Sequence, residues 1–160
     1  MSVEMNGAAS SLFPWPPVIY GSAVVLAASA SWVSPWRYTP PDFRLAAIAA
    51  GIAVIACGFG ALLAAGRRFA ANGTPVPPTR PTTAIVTTGI YRFTRNPMYL
   101  GMSLVLAGLG VAFDQVWFLL ALPVAVLAVT KLAIEREETY LASKFGAAYV
   151  AYKSSVRRWF

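Results

Sequence analysis

The hydrophobic residues of the chain fall into four long segments that are separated by polar ones. The apolar segments cover residues 18–33, 45–65, 98–113 and 116–134. A helix needs about 20 apolar residues to cross the hydrocarbon core of a bilayer, and a short segment can be met by thinned lipid. The pattern therefore predicts an all-α integral membrane protein, a bundle of about four transmembrane helices with a short third span.

The polar positions between and after these segments predict the connections. Asp114 and Gln115 form the only polar break between the last two segments, which indicates a tight helical hairpin. Residues 135–155 repeat apolar positions at helical spacing and predict an amphipathic helix that leaves the membrane. The apolar stripe of this helix consists of Ile134, Leu141, Phe145, Ala148 and Tyr152.

Two further patterns concern the second span and the segment after it. Small residues at every fourth position predict a seam for close helix packing. The seam consists of Ala49, Ala53, Cys57 and Ala61. Residues 66–97 form the longest polar segment, and its prolines predict non-helical chain over residues 75–81. A connection of this length between spans is more often functional than idle.

The basic residues are distributed unevenly between the two ends of the predicted bundle. Two of the 13 Lys and Arg residues lie between the first two spans, five lie in residues 66–97, and six follow from Lys131 onward. Positive residues favour the cytoplasmic side of a membrane. We therefore expect both termini, residues 66–97 and the last helix to face the cytoplasm.

Composition narrows the class of protein further. Charged residues make up 12% of the chain and hydrophobic residues 58%, whereas a soluble domain carries about 25% charged residues. The net charge of +7 lies beside apolar segments, which favours contact with anionic lipids over nucleic acid. The absence of histidine excludes His-based triads and His-metal sites, and no metal site is predicted. The 160 residues of the chain are expected to form a single domain.

The stretch from Gly89 to Gly101 concentrates the residues best suited to chemistry. Gly89 permits a turn, Asn96 is a good N-cap, and Pro97 fits the first turn of the third span. Free N–H groups at this helix start, together with Arg92 and Arg95, would attract an anion such as a carboxylate. A capped helix whose arginines extend to lipid phosphates is an equally good reading of these residues.

Three glutamates, Glu135, Glu137 and Glu138, begin the last helix. Carboxylates are favourable near any helix N-terminus. Glu137 and Glu138 nevertheless border the apolar stripe, where they could bind a cationic amine or ribose hydroxyls. With the arginines on the same membrane face, the two elements suit a zwitterionic ligand.

Two ordered blocks of the chain closely resemble a known family signature. The first block is Ile85-Val86-Thr87-Thr88, then Gly89-x-Tyr91-Arg92-x-x-Arg95-Asn96-Pro97-x-Tyr99-x-Gly101. The second block is Glu137-Glu138-x-x-Leu141, then Phe145-Gly146-x-x-Tyr149-x-x-Tyr152-Lys153 and Val156. Together they resemble the isoprenylcysteine carboxyl methyltransferase family, which is related to the membrane phospholipid methyltransferases. The resemblance covers about residues 73–160, which would form the cofactor-binding half.

The resemblance implies an enzyme that transfers a methyl group from S-adenosylmethionine to a lipid-like substrate in the membrane. It implies catalytic roles for Arg95, Asn96 and Glu138. The cofactor would contact Tyr91, Arg92, Arg95, Asn96, Tyr99, Leu100, Gly101, Glu135, Glu137 and Glu138. Eukaryotic members carry His at the position of Asn96, and Asn resembles bacterial and archaeal members. A bacterial inner (plasma) membrane is therefore the expected location.

Three functions remain open from the sequence. A carboxylate acceptor is ionised at neutral pH and needs no general base, so O-methylation of an isoprenylcysteine-like substrate is favoured in a chain without histidine. Phospholipid amine N-methylation is the alternative, with Glu137 or Glu138 as the base. A non-enzymatic packing or lipid-binding membrane protein is the third possibility.

Overall fold

The computed structural model describes residues 16–73 and 84–159, and within these ranges the chain is helical and contains no strand. Three helical stretches are long and apolar enough to cross a membrane, namely Pro16–Val33, Pro41–Ala71 and Val116–Phe145. Pro97–Ala112 is a shorter apolar helix. The predicted all-α membrane fold is confirmed. The proline-rich stretch 75–81, predicted to be non-helical, lies outside the described residues.

Six α-helices succeed one another along the described chain. They are α1 Pro16–Val33, α2 Arg44–Ala71, α3 Pro97–Ala112, α4 Val116–Val129, α5 Glu135–Phe145 and α6 Ala147–Ser155. Short 3₁₀ turns occupy Pro41–Phe43 and Gly89–Arg92, and a π-helical turn, Thr130–Ile134, joins α4 to α5. Helices α1 and α3 both begin at a proline. Proline is well accommodated there, because the first turn of a helix does not need its missing N–H.

Helix α2 continues six residues beyond the predicted span 45–65, so the polar segment begins inside a helix that ends at Ala71. One predicted element is wrong. The single amphipathic helix over residues 135–155 is two helices, because Gly146 has φ 54° and ends α5. After this break Ala148 is exposed and Tyr149 is buried, so Ala148 departs from the predicted stripe, whereas Tyr152 of α6 is buried as predicted.

Glycines bring α2 and α3 into close contact. A Cβ on Gly58 would lie 2.7 Å from the Gly101 carbonyl oxygen, and a Cβ on Gly108 would lie 2.8 Å from that of Gly51. Two glycine pairs, each spaced by seven residues, therefore let the two backbones touch. The predicted seam does not make this contact. Its first three members, Ala49, Ala53 and Cys57, are exposed on the outer face of α2.

Helix α1 lies against α3 and α4 on the other side of the bundle. Tyr20 is buried in the core with Leu106 of α3 and Phe118 of α4. Its hydroxyl group is 2.6 Å from the Ser103 hydroxyl group, which fixes the height of α1 relative to α3. Many apolar side chains on the outer faces, including Leu26 and Leu63, remain exposed, as expected of helices that meet lipid.

The hairpin between α3 and α4 holds the connection between α1 and α2. Asp114 Oδ1 accepts hydrogen bonds from the Tyr38 N–H at 3.1 Å and the Thr39 N–H at 2.9 Å, and Gln115 Oε1 accepts one from the Trp36 N–H. Burial alone would raise the pKa of Asp114, but hydrogen bonds from Thr39 and Tyr38 outweigh it and lower the pKa. The tight hairpin predicted from Asp114 and Gln115 is confirmed.

Replacing Asp114 with alanine is expected to lower the free energy of unfolding in detergent by about 2–4 kcal/mol. The change leaves two N–H groups without an acceptor and places alanine at φ 54°, a region that Asp and Asn tolerate better. Asp114→Asn is the matched control, because it keeps an acceptor oxygen and the turn preference and should cost about 1 kcal/mol. Equal losses in the two variants would contradict this role.

The lowered pKa of Asp114 also gives this contact a pH dependence. The stabilisation is fully present above the ordinary pKa of an aspartate and is lost as the pH falls through the lowered folded-state pKa. In the wild type the unfolding free energy should therefore decrease on acidification, and Asp114→Asn should remove that part of the decrease.

Candidate functional site

The π-helical turn Thr130–Ile134 directs Glu137 and Glu138, at the start of α5, toward the buried side of that helix. Val129 and Ile134 are both 0% exposed although they lie five residues apart, and Glu138 follows four residues later at 7%. In an uninterrupted α-helix Arg136, seven residues after Val129, would take this face. The wider turn inserts one extra residue, so Arg136 is exposed and Glu138 is buried. Single π turns of this kind often occur at functional sites.

The opposite wall of the site is the stretch before α3. Gly89 has φ 65° and begins the 3₁₀ turn, while Arg95 and Asn96 directly precede Pro97. Asn96 stands at the N-cap position, but its side chain makes no capping hydrogen bond. Its amide instead donates to the carbonyl oxygen of Arg158 at 3.0 Å. Asn96 therefore occupies the predicted N-cap position, but the hydrogen bond expected of a side-chain cap is not formed.

A C-terminal segment, residues 156–159, lies along this wall. The carbonyl oxygen of Arg158 accepts hydrogen bonds from the Thr94 hydroxyl group and the Asn96 amide, each at 3.0 Å. The carbonyl oxygen of Arg157 accepts one from the Arg95 N–H at 3.0 Å. These contacts join residues more than sixty positions apart, and no local pattern in the sequence indicates them.

Three basic side chains surround Glu138. Arg158 donates from Nε to Oε1 at 3.0 Å and from Nη2 to Oε2 at 2.9 Å. This bidentate (two-pronged) contact is typical of Arg and a carboxylate. Lys153 Nζ lies 3.2 Å from Oε2, and Arg95 Nη1 lies 3.3 Å from Oε1. The hydrogen bond to Glu138 raises the pKa of Arg158, which stays charged. Sequence reasoning found Glu138 but missed Lys153 and Arg158.

Glu137 and Arg95 have unused polar capacity in the described structure. Glu137 Oε2 accepts a hydrogen bond from the Tyr99 hydroxyl group at 2.9 Å, and Glu137 forms no ion pair with any described residue. The Arg95 side chain is 9% exposed, and its Nε and Nη1 atoms are buried without a hydrogen-bond partner in that part of the chain. Buried unpaired donors are rare and call for an explanation.

These groups face a common cavity of about 50 Å³. Arg95 and Asn96 line it from the α3 side, and Glu137 and Glu138 line it from α5. The remaining lining is aromatic or apolar and consists of Phe69, Ala84, Ile85, Val86, Tyr91, Ile134, Leu141, Tyr149 and Tyr152. The cavity therefore combines opposite charges with an apolar wall at one end of the helices.

Aromatic residues stabilise the wall of the cavity. Phe69 and Tyr91 stack with ring centroids 5.3 Å apart, and the Tyr152 hydroxyl group donates to the Tyr91 carbonyl oxygen at 2.8 Å. Burial, together with the nearby Tyr149, raises the pKa of Tyr152 to about 12, so the phenol remains a donor at neutral pH. Tyr149 and Tyr152, both members of the second sequence block, line the cavity.

Five residues expected at the cofactor are not part of this cavity lining. Arg92 is exposed, Leu100 is half-buried on α3, and Gly101 contacts α2. Glu135 forms an exposed ion pair with Lys131 at 2.7 Å. Tyr99 reaches the site through its hydrogen bond to Glu137. No group of His, Cys, Asp and Glu within residues 16–73 and 84–159 could hold a metal ion.

Fold and site together define an all-helical integral membrane protein with a charged cavity at one end of its helices. A family model described as phospholipid methyltransferase matches residues 46–148, and the chain belongs to this family. The family includes the isoprenylcysteine carboxyl methyltransferases, so the resemblance found in the sequence is confirmed. Membership supports a membrane methyltransferase that acts on lipid-like substrates.

The chain is also similar to an uncharacterized protein of Haemophilus influenzae. The two are 40% identical over 62 aligned residues, which make up 39% of this chain and 98% of that protein. No solved structure matches the chain.

Proposed function

We propose that the protein is an integral membrane methyltransferase that uses S-adenosylmethionine to methylate a small lipophilic acceptor. The observation that carries this proposal is the arrangement of Arg95 and Glu137 around one cavity. Arg95 has two buried donors that make no hydrogen bond among the described residues, and Glu137 is a carboxylate without an ion pair among them. A zwitterionic amino-acid group needs one partner of each charge.

The chemistry of the cavity fits this cofactor. Arg95 would hold its carboxylate, Glu137 would hold its ammonium group or ribose hydroxyls, and the aromatic lining offers apolar surface to its base. The cavity volume of about 50 Å³ accommodates only a few water molecules, so binding must separate the lining side chains. Glu138 is already paired with three cations and is better suited to orienting Arg95 than to binding the ligand.

When bound, S-adenosylmethionine supplies an electrophilic methyl group, and the sulfonium sulfur that carries this group becomes a neutral thioether on transfer. The residues of this chain would orient the reactants and exclude water, which are the main requirements of such a displacement. Ile134 and Leu141 contribute apolar surface to the cavity lining. An apolar lining suits a lipophilic acceptor.

Charge favours an anionic acceptor. Around the cavity Arg95, Lys153 and Arg158 outnumber Glu137 and Glu138, which leaves a surplus of one positive charge. We therefore propose carboxylate O-methylation of an isoprenylcysteine-like substrate first, since an ionised carboxylate needs no base. Phospholipid amine N-methylation is the second candidate. Glu137, which lacks a cationic partner in the described structure, would then be the base.

The first test is calorimetric titration of the purified protein in nanodiscs with S-adenosylmethionine and S-adenosylhomocysteine. Saturable one-site binding is expected. A folded protein that binds neither compound would contradict the proposal and leave the non-enzymatic alternative as the better one.

The acceptor is tested with a radiolabelled methyl donor, a farnesylated N-acetylcysteine and phosphatidylethanolamine vesicles. Label that alkali releases as methanol indicates a methyl ester, whereas stable label in the lipid indicates N-methylation. Transfer only to phosphatidylethanolamine would reverse our order of preference.

The excess of basic residues at this end of the bundle leads us to propose a cytoplasmic site. Inverted bacterial membrane vesicles should then react with added donor, and right-side-out vesicles should not.

A further inference from the structure

We propose that Arg158 is a positioning residue that keeps Arg95 free to bind the carboxylate of the ligand. This inference rests on the proposed function, because it concerns how the same cavity recognises S-adenosylmethionine. Arg158 lies outside residues 46–148, the part of the chain that the family model matches. It acts on Arg95 through Glu138, which contacts both arginines.

The basic residues around Glu138 use most of its hydrogen-bonding capacity. Arg158 occupies both carboxylate oxygens with its two-pronged contact, and Lys153 Nζ adds a second cation at Oε2. Arg95 Nη1 lies 3.3 Å from Oε1, close enough for attraction, yet neither Nε nor Nη1 makes a hydrogen bond within the described chain. Glu138 therefore attracts Arg95 without engaging its donors.

Removing the Arg158 side chain changes this balance. Glu138 would lose its strongest partner, and the nearest guanidinium that could replace it belongs to Arg95. A buried carboxylate gains most from a two-pronged contact with arginine. Arg95 would then turn its free nitrogens toward Glu138, and they would no longer be available to a ligand carboxylate.

The backbone contacts of the C-terminal segment make this effect separable from folding. Thr94, Arg95 and Asn96 bond to the carbonyl oxygens of Arg157 and Arg158, which any side chain at these two positions retains. Arg157 also provides a matched control. Its side chain is exposed and forms no ion pair with a described residue, so Arg157→Gln removes the same charge from the adjacent position.

The experiment compares the affinities of S-adenosylmethionine and decarboxylated S-adenosylmethionine, which differ only in the carboxylate. In the wild type we expect the carboxylate to strengthen binding about 10- to 100-fold, as a charged hydrogen-bonded pair does. In Arg158→Gln this ratio should fall to about 1- to 3-fold, while the affinity for the decarboxylated compound stays within about 2-fold of wild type. Arg157→Gln should keep the wild-type ratio.

Arg158→Lys provides a second variant that preserves the positive charge and cannot form the two-pronged contact. It should give an intermediate ratio. A wild-type ratio in Arg158→Gln or Arg158→Lys would overturn the inference while leaving the proposed function intact. An equal loss of affinity for both compounds would also overturn it, since a general structural defect affects both. Failure of the folded wild type to bind S-adenosylmethionine would instead contradict the proposed function, and the inference with it.

Discussion

Arg95→Gln is expected to weaken the binding of S-adenosylmethionine by about 30- to 1000-fold, which corresponds to about 2–4 kcal/mol. The Arg95 side chain is 9% exposed and has buried donors that no described residue satisfies. A ligand carboxylate that pairs with them gains a charged contact in a site largely shielded from water, where such contacts are strongest. Calorimetric titration of the variant in nanodiscs measures the loss.

Glu138 does not lose its charge balance in this variant, because Arg158 and Lys153 remain beside it. The fold should therefore survive, with a melting temperature in detergent close to that of the wild type. Arg67→Gln is the matched control, since Arg67 is exposed at the same end of the bundle and its loss removes one positive charge. Binding that decreases equally in both variants would show that overall charge, and not Arg95, attracts the ligand.

Gly58→Val is expected to destabilise the folded bundle by about 3 kcal/mol, the upper part of the range for overpacked sites. A Cβ at this position would lie 2.7 Å from the Gly101 carbonyl oxygen and 3.0 Å from the Val105 backbone nitrogen. Both atoms belong to the backbone of α3, which cannot rotate away as a side chain can. Helices α2 and α3 must therefore separate, and the free energy of unfolding in mixed detergent should fall.

The same helix contains a matched control for this change. Gly60 lies two residues further along α2, and a Cβ there meets no atom within 4 Å. Gly60→Val makes the identical replacement in the same helix on the face away from α3. Its stability should stay within about 0.5 kcal/mol of wild type, the usual range of surface substitutions. Similar losses at both positions would point to helix propensity and argue against contact between α2 and α3.

The membrane helices and the hairpin could be read from the sequence because they depend on neighbouring residues. Runs of apolar residues specify a span wherever they occur, and Asp114 and Gln115 interrupt one run at a single place. The two motif blocks likewise contain Arg95, Asn96, Glu137 and Glu138, four of the residues that the fold brings to one cavity. Their assignment to a ligand stays a prediction until binding is measured.

The choice between two sets of small residues was made by tertiary structure. The alanines and Cys57 of the predicted seam repeat along α2 as regularly as Gly51 and Gly58 do. Only the glycine face meets matching glycines on α3, at Gly101 and Gly108. Both sets satisfy the periodicity of a packing face. The sequence of α2 alone therefore does not show which set has a complementary partner on another helix.

The sequence by itself determined that this chain is an all-α membrane protein and which charged residues stand near the ends of its apolar segments. Tertiary structure decided which polar groups meet: Arg158 reaches Glu138, Asn96 donates to the Arg158 carbonyl oxygen, and Arg95 keeps two donors without a hydrogen bond within the described chain. The physical reason is distance along the chain. Helix formation follows from neighbours a few residues apart, whereas these contacts join residues that become neighbours only when the helices pack.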